Sequence, residues 1–371
     1  MTKVRAVVQV GDRRFEIQQF DRPKIGADDA LMRVEACGIC GSDVDQYDGK
    51  LNGMGLKLPV IPGHEPVGII EEIGALASRR WGVAAGDRVA IEPVLGCGHC
   101  RACMTGNYRR CRVGRPGTSI AACGFVPTQI APALWGGMAE YMYLDPNVAL
   151  HKVSRDIPAE LAALYQPIAA GISWAHREPG TRVGDTVVIF GAGQRGLACL
   201  VAARAAGAAQ VMVIARRQSA HRLKLAGEFG ADAAIFADED VVARVRELTR
   251  GEGADVVVDV TAEAMDPIAK AVDMAKAGAT IVLAGVKGWG AEIPGLENDR
   301  IFAKELTIKG VKNADFRSFE AAVQLIESRK YPLEKMHTHS FALSEVDRAI
   351  RTLAGRVAGE NAVSVSLNPR L

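Results

Sequence analysis

The sequence predicts a two-domain α/β protein, with a β-rich first domain and a second domain built on a doubly wound parallel sheet. Short apolar runs separated by glycine and proline dominate the first part of the chain. From about residue 180 onward, β-branched strands alternate with amphipathic helices, which is typical of a parallel sheet. Two cysteine-containing clusters lie in the first part.

Composition limits the classes of function. The chain has 371 residues, enough for two domains, and its 49% hydrophobic and 24% charged residues are typical of a globular protein. A formal net charge of +2, from 45 basic and 43 acidic residues, gives no reason to expect nucleic acid or an anionic membrane as partner. No apolar run approaches the ~20 residues of a membrane span.

The amino-terminal segment MTKVRAVVQVGD shows no signal-peptide core and no small-residue cleavage site. We therefore expect a cytoplasmic protein. In that compartment the eight cysteines would be reduced thiols or metal ligands rather than disulfides.

We place the first domain at residues 1–160 and the second at 161–306, and we expect residues 307–371 to complete the first. The first domain contains four predicted strands: VRAVVQV, DALMRVEAC, VGIIEEIG and DRVAIEPV. A plain β-barrel with loops is the simplest alternative for this region. The last segment contains short strands and one amphipathic helix, FRSFEAAVQLIESRK.

Strands and helices of the second domain follow one another closely. The predicted strands include TVVIF (186–190), QVMVIA (210–215), DVVVDV (255–260) and ATIVLAG (279–285). A helix beginning at Asp266 and Pro267 is expected to end at Gly278. We expect the edge of the sheet near residues 279–285.

Four cysteines lie within fifteen residues, in the segment CGHCRACMTGNYRRC; they are Cys97, Cys100, Cys103 and Cys111. Two-residue gaps let consecutive thiolates converge on one ion, and four thiolates close a tetrahedral structural zinc site. Free or disulfide-linked thiols, an iron–sulfur cluster and a zinc-ribbon nucleic-acid module are alternatives. The loop is a single knuckle, which disfavours the ribbon, and His99 is interpreted as a surface residue.

A second cluster combines Cys40, which lies among glycines, with His64 and Glu65, which follow a Pro–Gly turn. A lone cysteine or histidine is more often a packed, inert side chain. A cysteine and a histidine from separate loops, with a third ligand from elsewhere, are typical of a catalytic zinc that keeps one coordination position open.

A glycine-rich turn, GAGQRG, follows the strand TVVIF and opens a helix. This context predicts a dinucleotide site, because the glycines allow a tight turn and close approach of a pyrophosphate to the helix amides. The turn consists of the glycines Gly191, Gly193 and Gly196 together with Ala192, Gln194 and Arg195.

The end of the next strand indicates which cofactor binds. Proteins that bind NAD usually place a carboxylate there, but this chain has Ala215 followed by Arg216 and Arg217. Two guanidinium groups can pair with a 2′-phosphate, which favours NADP. Solvated surface arginines with NAD as cofactor are the alternative.

Several segments occur in a characteristic order: GICGSD, PGHEPVG, the four-cysteine loop, GGMAEY and GAGQRG. Together they resemble the zinc-dependent medium-chain alcohol dehydrogenase family, with the sorbitol and threonine dehydrogenase branch closest, over nearly the whole chain. The resemblance implies a GroES-like catalytic domain, a Rossmann domain, and a homodimer or homotetramer. It also implies a catalytic and a structural zinc ion, and reversible hydride transfer between an alcohol, expected to be secondary, and NAD(P).

Applied residue by residue, the resemblance implies that Cys40 and His64 are catalytic zinc ligands and that Glu65 lies beside the metal. Ser42 matches the hydroxyl that passes on the substrate proton. Asp45 stands where the family often has a histidine that completes this proton relay.

In this branch the third zinc ligand is often a glutamate followed by proline. The segment YQPI places Gln166 at that position, where an amide oxygen can still face the metal. Alternatively, Gln166 hydrogen-bonds a zinc-bound water, or Glu65 takes the ligand position. Tyr47, Trp135 and Trp174 are candidate pocket residues, with core packing as the alternative.

The sequence is compatible with three functional hypotheses. An alcohol dehydrogenase is the first, and a polyol or amino-alcohol dehydrogenase is the second. The third is a zinc-stabilised nucleotide-binding regulatory protein without catalysis, suggested by the departures at Asp45 and Gln166. Metal analysis combined with a panel of alcohols would separate these hypotheses.

Overall fold

The computed structural model describes residues 3–113, 118, 120–288 and 290–371. The chain forms two compact units: Met1–Gln166 with Val323–Leu371, and Pro167–Ala322. None of the helices in the described ranges is long and apolar enough to cross a membrane.

The strands are β1 Lys3–Gly11, β2 Arg14–Asp21, β3 Ala30–Ile39, β4 Glu65–Ile73, β5 Arg88–Ile91, β6 Tyr141–Leu144, β7 Leu150–Lys152, β8 Thr186–Phe190, β9 Gln210–Ala215, β10 Ala233–Phe236, β11 Ala254–Asp259, β12 Ala275–Leu283, β13 Thr307–Gly310, β14 His337–Phe341 and β15 Ser364–Leu367. The helices are α1 Gly41–Tyr47, α2 Ala75–Trp81, α3 Arg101–Met104, α4 Ala159–Ala162, α5 Tyr165–Ile172, α6 Gln194–Ala205, α7 Ala220–Glu228, α8 Val241–Leu248, α9 Asp266–Met274, α10 Asn298–Ala303, α11 Phe316–Glu327 and α12 Val346–Leu353.

The first unit is built on a mixed sheet with strand order β14-β15-β3-β4-β5-β7, and β6 also pairs with β3. Strands β1 and β2 form a separate antiparallel hairpin. The four predicted strands correspond to β1, β3, β4 and β5. Strand β3 is buried along almost its whole length, and β15, from the end of the chain, pairs antiparallel with it. The carboxyl-terminal segment thus extends this sheet.

The second unit contains a parallel sheet with strand order β10-β9-β8-β11-β12-β13. The chain leaves the central strand β8 toward β9 and β10, then returns to add β11, β12 and β13 on the other side. The carboxyl ends of β8 and β11 therefore flank a topological switch point, the place where open α/β sheets bind ligands. This topology matches the doubly wound sheet that the alternation of strands and helices predicts.

Two details differ from the sequence prediction. Helix α9 ends at Met274 rather than at Gly278, because Ala275 already pairs with Ala254 as the first residue of β12.

The sheet edge predicted near residues 279–285 is wrong, because β12 is an inner strand. Residues Thr307–Gly310 form β13, which covers β12 and is itself the edge. This strand belongs to the parallel sheet, although the sequence assigns residues 307–371 to the first domain.

Candidate functional site

The pairing of β3 with β4 brings the second cluster together. Gly38 lies opposite Glu65 in this antiparallel pair, so Cys40 just after β3 meets His64 just before β4. A ligand atom of Cys40, one of His64 and one of Glu65 all lie within 4.8 Å of one another, and all three residues are buried. Thiolate, imidazole and carboxylate are the donors that zinc prefers, so these residues could hold the metal.

Glycines leave the space that this arrangement needs. Gly63 has φ = +92°, and a Cβ at this position would lie 2.8 Å from the sulfur of Cys37 and from Met138. A Cβ on Gly38 would lie 2.8 Å from Oε2 of Glu65. A larger residue at position 38 would therefore push on Glu65, and one at position 63 would push on Cys37 and Met138.

Asp43 is a site residue that the sequence analysis missed. Its Oδ2 accepts a 2.8 Å hydrogen bond from the Cys40 amide, and its Oδ1 lies 3.3 Å from Nδ1 of His64. A carboxylate at Nδ1 fixes the ring and leaves Nε2 for a metal, as is usual around metal-bound histidines. The available signal was an acidic residue three positions after Cys40, within the first turn of α1.

Charge in this cluster favours a cation. Burial lowers the pKa of His64, but the Asp43 carboxylate and the Cys40 side chain raise it more strongly. The resulting pKa lies well above the ordinary value for histidine. A buried set of groups that stabilises positive charge in this way suits a metal ion.

The structure places Ser42 at the cluster, with its Oγ 3.2 Å from Nε2 of His64. Asp45, one helical turn further along α1, is partly exposed and its carboxylate lies 3.3 Å from Nζ of Lys50. Within the described residues, no hydrogen bond joins Asp45 to Ser42 or His64. The Asp45 step of the proton relay therefore stays a prediction.

Gln166 is buried near the start of α5, with 5% of its surface exposed. The neighbouring Tyr165 hydroxyl donates a 2.6 Å hydrogen bond to the Ile91 carbonyl. Burial raises the pKa of Tyr165, and the charge of Glu65 raises it further. A Cβ on Gly38 would lie 2.8 Å from Oε2 of Glu65 and 3.5 Å from the Ala163 carbonyl oxygen, so the chain just before α5 passes beside Glu65.

The four-cysteine loop has the geometry of a closed zinc site. The Sγ–Sγ distances are 3.9 Å for Cys97–Cys103, 3.6 Å for Cys100–Cys103 and 3.8 Å for Cys100–Cys111. A regular tetrahedron with zinc–sulfur bonds of about 2.3 Å has edges of about 3.8 Å. All eight cysteines are free, which excludes disulfides, and His99 is exposed as predicted.

Backbone amides prepare one of these thiols for a metal. The amide of His99 and then that of Cys100 lower the pKa of Cys97, and the Cys100 amide donates to Sγ of Cys97 at 3.3 Å. Thiolate is the form that binds zinc, so these amides favour metal binding over the neutral thiol.

The aromatic candidates are engaged in packing. The Tyr47 hydroxyl donates to Asp347 at 2.5 Å, and its ring stacks on Phe15. Trp135 is fully buried, and its indole N–H donates to the Ile130 carbonyl at 2.7 Å.

In the second unit, the indole N–H of Trp174 donates to the Asn313 carbonyl at 2.9 Å. The guanidinium of Arg195 lies 5.5 Å from the centre of the Trp174 ring. These contacts favour the packing interpretation for this third aromatic residue as well.

The glycine turn has the close packing that a dinucleotide site requires. Gly191 follows β8 with φ = +109°, and a Cβ on Gly196 would lie 1.7 Å from the Gly191 carbonyl oxygen. Gly193 is the N-cap of α6, and Gln194 is its buried first residue. The amino end of α6 is therefore open to a phosphate along the backbone.

Arg216 and Arg217, which follow the buried Ala215, differ in their surroundings. The guanidinium of Arg217 pairs with Asp238 at 2.6 Å and covers the ring of Phe236. Arg216 is exposed, and the described residues offer it no carboxylate partner.

Arg222 is a cofactor-site candidate that sequence reasoning missed. Its Nη1 lies 3.8 Å from where a Cβ of Gly193 would be, beside the glycine turn. Burial lowers the pKa of Arg222, and the positive charge of Arg216 lowers it further. No sequence signal marked it, because α7 brings it to the turn from six residues beyond Arg216.

Comparisons with known proteins agree with this geometry. The "Alcohol dehydrogenase GroES-like domain" family matches residues 26–155, and the "Zinc-binding dehydrogenase" family matches residues 196–328. A "Probable alcohol dehydrogenase" of Mycobacterium tuberculosis is 43% identical over 99% of this chain and 98% of its own length. An "Erythritol/L-threitol dehydrogenase" of Mycolicibacterium smegmatis is 33% identical over 99% of this chain and 98% of its own.

Solved structures give the same result. The alcohol dehydrogenase of Thermotoga maritima superposes with a TM-score of 0.86 at 27% identity, covering 99% of this chain and 100% of its own. A Sinorhizobium meliloti protein crystallised with NADP has a TM-score of 0.85 at 28% identity, covering 100% of both chains. These matches confirm the predicted fold class and the prediction of an enzyme rather than a regulatory protein. The chain belongs to the zinc-dependent medium-chain alcohol dehydrogenase family and is an oxidoreductase of alcohols or polyols.

Proposed function

We propose that Cys40, His64 and Glu65 form the catalytic metal site of a dehydrogenase that oxidises a secondary alcohol reversibly with NADP. The observation that supports this most is the buried convergence of a thiol, an imidazole and a carboxylate within 4.8 Å. We also propose that Cys97, Cys100, Cys103 and Cys111 bind a structural zinc, supported by their near-tetrahedral sulfur spacing.

When bound, the catalytic zinc supplies Lewis-acid charge next to the substrate oxygen, and the nicotinamide exchanges the hydride. Oxidation removes a hydride from the carbinol carbon and a proton from the hydroxyl. Ser42 Oγ would relay this proton by accepting it while its own hydroxyl proton leaves toward solvent, because it lies 3.2 Å from Nε2 of His64, at the edge of the metal site. Asp43 holds the His64 ring in the tautomer that ligation needs.

A polyol is the second candidate substrate. The relatives include an "Erythritol/L-threitol dehydrogenase" at 33% identity and a "Sorbitol dehydrogenase" of Bombyx mori at 29% identity. Both names describe oxidation of an alcohol group on a polyhydroxylated chain.

The function is tested with one variant at each metal site. We expect the unmodified protein to hold two zinc ions per chain and to oxidise members of a panel of secondary alcohols and polyols. His64→Ala should lose one zinc and lower kcat/KM at least about a hundredfold. Cys103→Ala should lose the other zinc and lower the melting temperature, because a structural site contributes folding free energy. Zinc analysis, turnover and calorimetry check these outcomes, and an unmodified enzyme without turnover on the panel would contradict the proposal.

We propose that Gln166 contributes its amide oxygen to the environment of the catalytic metal, directly or through water. Its burial and the closeness of Ala163, just before α5, to Glu65 support this. A glutamine there leaves the donor set with about one negative charge fewer than a glutamate would. The site would then be more positive, which would favour the deprotonated form of the substrate hydroxyl at lower pH.

Gln166→Glu should therefore bind zinc more tightly, because a carboxylate is a better ligand than an amide. It should also shift the pH–rate profile of alcohol oxidation upward, because the less positive centre raises the pKa of the substrate hydroxyl. Zinc competition with a chelator and a pH–rate profile measure the two effects. If both match the unmodified enzyme, Gln166 lies outside the metal environment.

We propose that NADP is the preferred cofactor and that Arg216 and Arg222 bind its 2′-phosphate. The Arg222 guanidinium beside the glycine turn, the exposed Arg216 at the end of β9 and the absence of a carboxylate at Ala215 support this. The NADP-bound relative from Sinorhizobium meliloti is consistent with it. Arg217 contributes less, because Asp238 already neutralises it.

Arg216→Ala should weaken NADPH binding about tenfold or more while leaving NADH nearly unchanged, since a hydrogen bond to a charged group contributes about 1.5–3 kcal/mol. Arg217→Ala is the matched control, with a much smaller effect on either cofactor. Fluorescence titration with both reduced cofactors measures this. An equal loss for NADPH and NADH in Arg216→Ala would show that Arg216 does not read the 2′-phosphate.

We propose that the protein forms a homodimer or homotetramer in the cytoplasm, through the edge at β13. This strand is short and mostly exposed, Ile308 is 37% exposed, and Phe302 in α10 just before it is 82% exposed. An exposed edge strand beside apolar side chains favours pairing with a second copy.

The double variant Phe302→Glu/Ile308→Lys should shift the protein to a monomer, because charges on an edge oppose pairing. Leu76→Glu, on the exposed Leu76 of the other unit, is the control and should leave the assembly intact. Light scattering at micromolar concentration measures both. A monomeric unmodified protein would contradict the proposal.

A further inference from the structure

A buried ion pair lies beside the switch point of the parallel sheet. Nζ of Lys287 is 2.7 Å from Oδ2 of Asp259, and their side chains are 11% and 1% exposed. Asp259 is the last residue of β11, and Lys287 follows β12. Charged side chains are rarely buried unless they are paired, so this pair is a specific feature of the second unit.

Thr261 closes the pair into a network. Oδ1 of Asp259 accepts hydrogen bonds from the Thr261 amide at 2.9 Å and from its hydroxyl at 2.6 Å. Nζ of Lys287 donates to the Thr261 carbonyl at 2.6 Å and to its hydroxyl at 2.9 Å. Both the backbone and the side chain of Thr261 are therefore held by the two buried charges.

The loop that carries Thr261 packs against the glycine turn. A Cβ on Gly191 would lie 3.0 Å from Val260 and 3.4 Å from the Thr261 methyl group. A Cβ on Gly285 would lie 1.9 Å from the Thr261 carbonyl oxygen. The network therefore fixes the loops after β11 and β12 against the phosphate-binding turn after β8.

The position of these loops identifies the part of the cofactor they serve. In a doubly wound sheet the dinucleotide lies across the carboxyl ends of the strands, with the pyrophosphate at the glycine turn and the adenosine ribose at the end of the second strand. Here that second strand is β9, on one side of β8. The nicotinamide half then lies on the other side, over the ends of β11 and β12.

We propose that Lys287 and Asp259 are positioning residues that hold the Thr261 loop as the wall of the nicotinamide half of the cofactor site. They act through Thr261 and not by contact with the reacting atoms. The inference rests on the proposed placement of the adenosine half at Arg216 and Arg222, but it is independent of whether NADP or NAD is preferred.

The test separates the two halves of the cofactor. Lys287→Met should weaken binding of the reduced cofactors NADPH and NADH about tenfold. Loss of the ion pair lets the Thr261 loop shift, and a displacement of about 1 Å is enough to weaken the contacts of a closely fitted ligand. Binding of adenosine 2′,5′-bisphosphate and of ADP, which lack nicotinamide, should stay unchanged. Cofactor fluorescence and calorimetry on the full-length zinc-loaded protein measure these affinities. Lys270→Met, which breaks the exposed Lys270–Asp266 pair of the same unit, is the control and should change neither affinity.

Equal weakening of the adenosine fragments and the full cofactors, or no weakening of either, would overturn the proposal. If Lys287→Met does not fold, Thr261→Val replaces it, because this variant keeps the ion pair and removes only the hydroxyl contacts. It should show the same split with a smaller loss for the full cofactors, and unchanged full-cofactor binding would overturn the proposal. If the adenosine-site assignment is wrong, the result is different: the unmodified protein itself does not bind adenosine 2′,5′-bisphosphate.

Discussion

The catalytic half of this molecule depends on the register of β3 against β4. With Gly38 opposite Glu65, the end of one strand and the start of the next carry Cys40, His64 and Glu65 to one point. A shift by one residue would turn the side chains of β4 to the other face and take Glu65 out of the cluster. The burial of β3 along its length gives the register its specificity, because few other pairings would keep its apolar side chains from water.

This register brings charged and polar groups into a buried place, which requires compensation. Asp43 is almost fully buried, and it accepts from the Cys40 amide while it faces His64. The raised pKa of His64 shows this compensation, because Asp43 and Cys40 favour positive charge on the ring more than burial opposes it. A metal cation satisfies that preference, and the absence of side chains at Gly63 and Gly38 leaves room for the ligands around it.

The second unit also holds polar loops in fixed positions at the carboxyl ends of its strands. Close packing at Gly191 and Gly196 opens the amino end of α6 to phosphate, and the ion pair of Lys287 with Asp259 fixes the adjoining loop. The four-cysteine loop is a third case. Backbone amides and four sulfur atoms, rather than apolar packing, fix its conformation. In each place, local rigidity comes from polar groups with defined hydrogen-bond or ion-pair partners.

The sequence by itself determined the fold class, the two groups of residues that can bind a metal ion, and the glycine turn. These signals are local, because cysteine spacing, a Pro–Gly turn and a strand–glycine–helix pattern are set by neighbouring residues. Only the tertiary structure decided that β13 covers β12, that Asp238 neutralises Arg217, and that Asp43 and Arg222 join their sites. Each of these depends on which side chains or strands meet in space. Residue spacing along the chain does not reveal which partner a long side chain or an edge strand will contact.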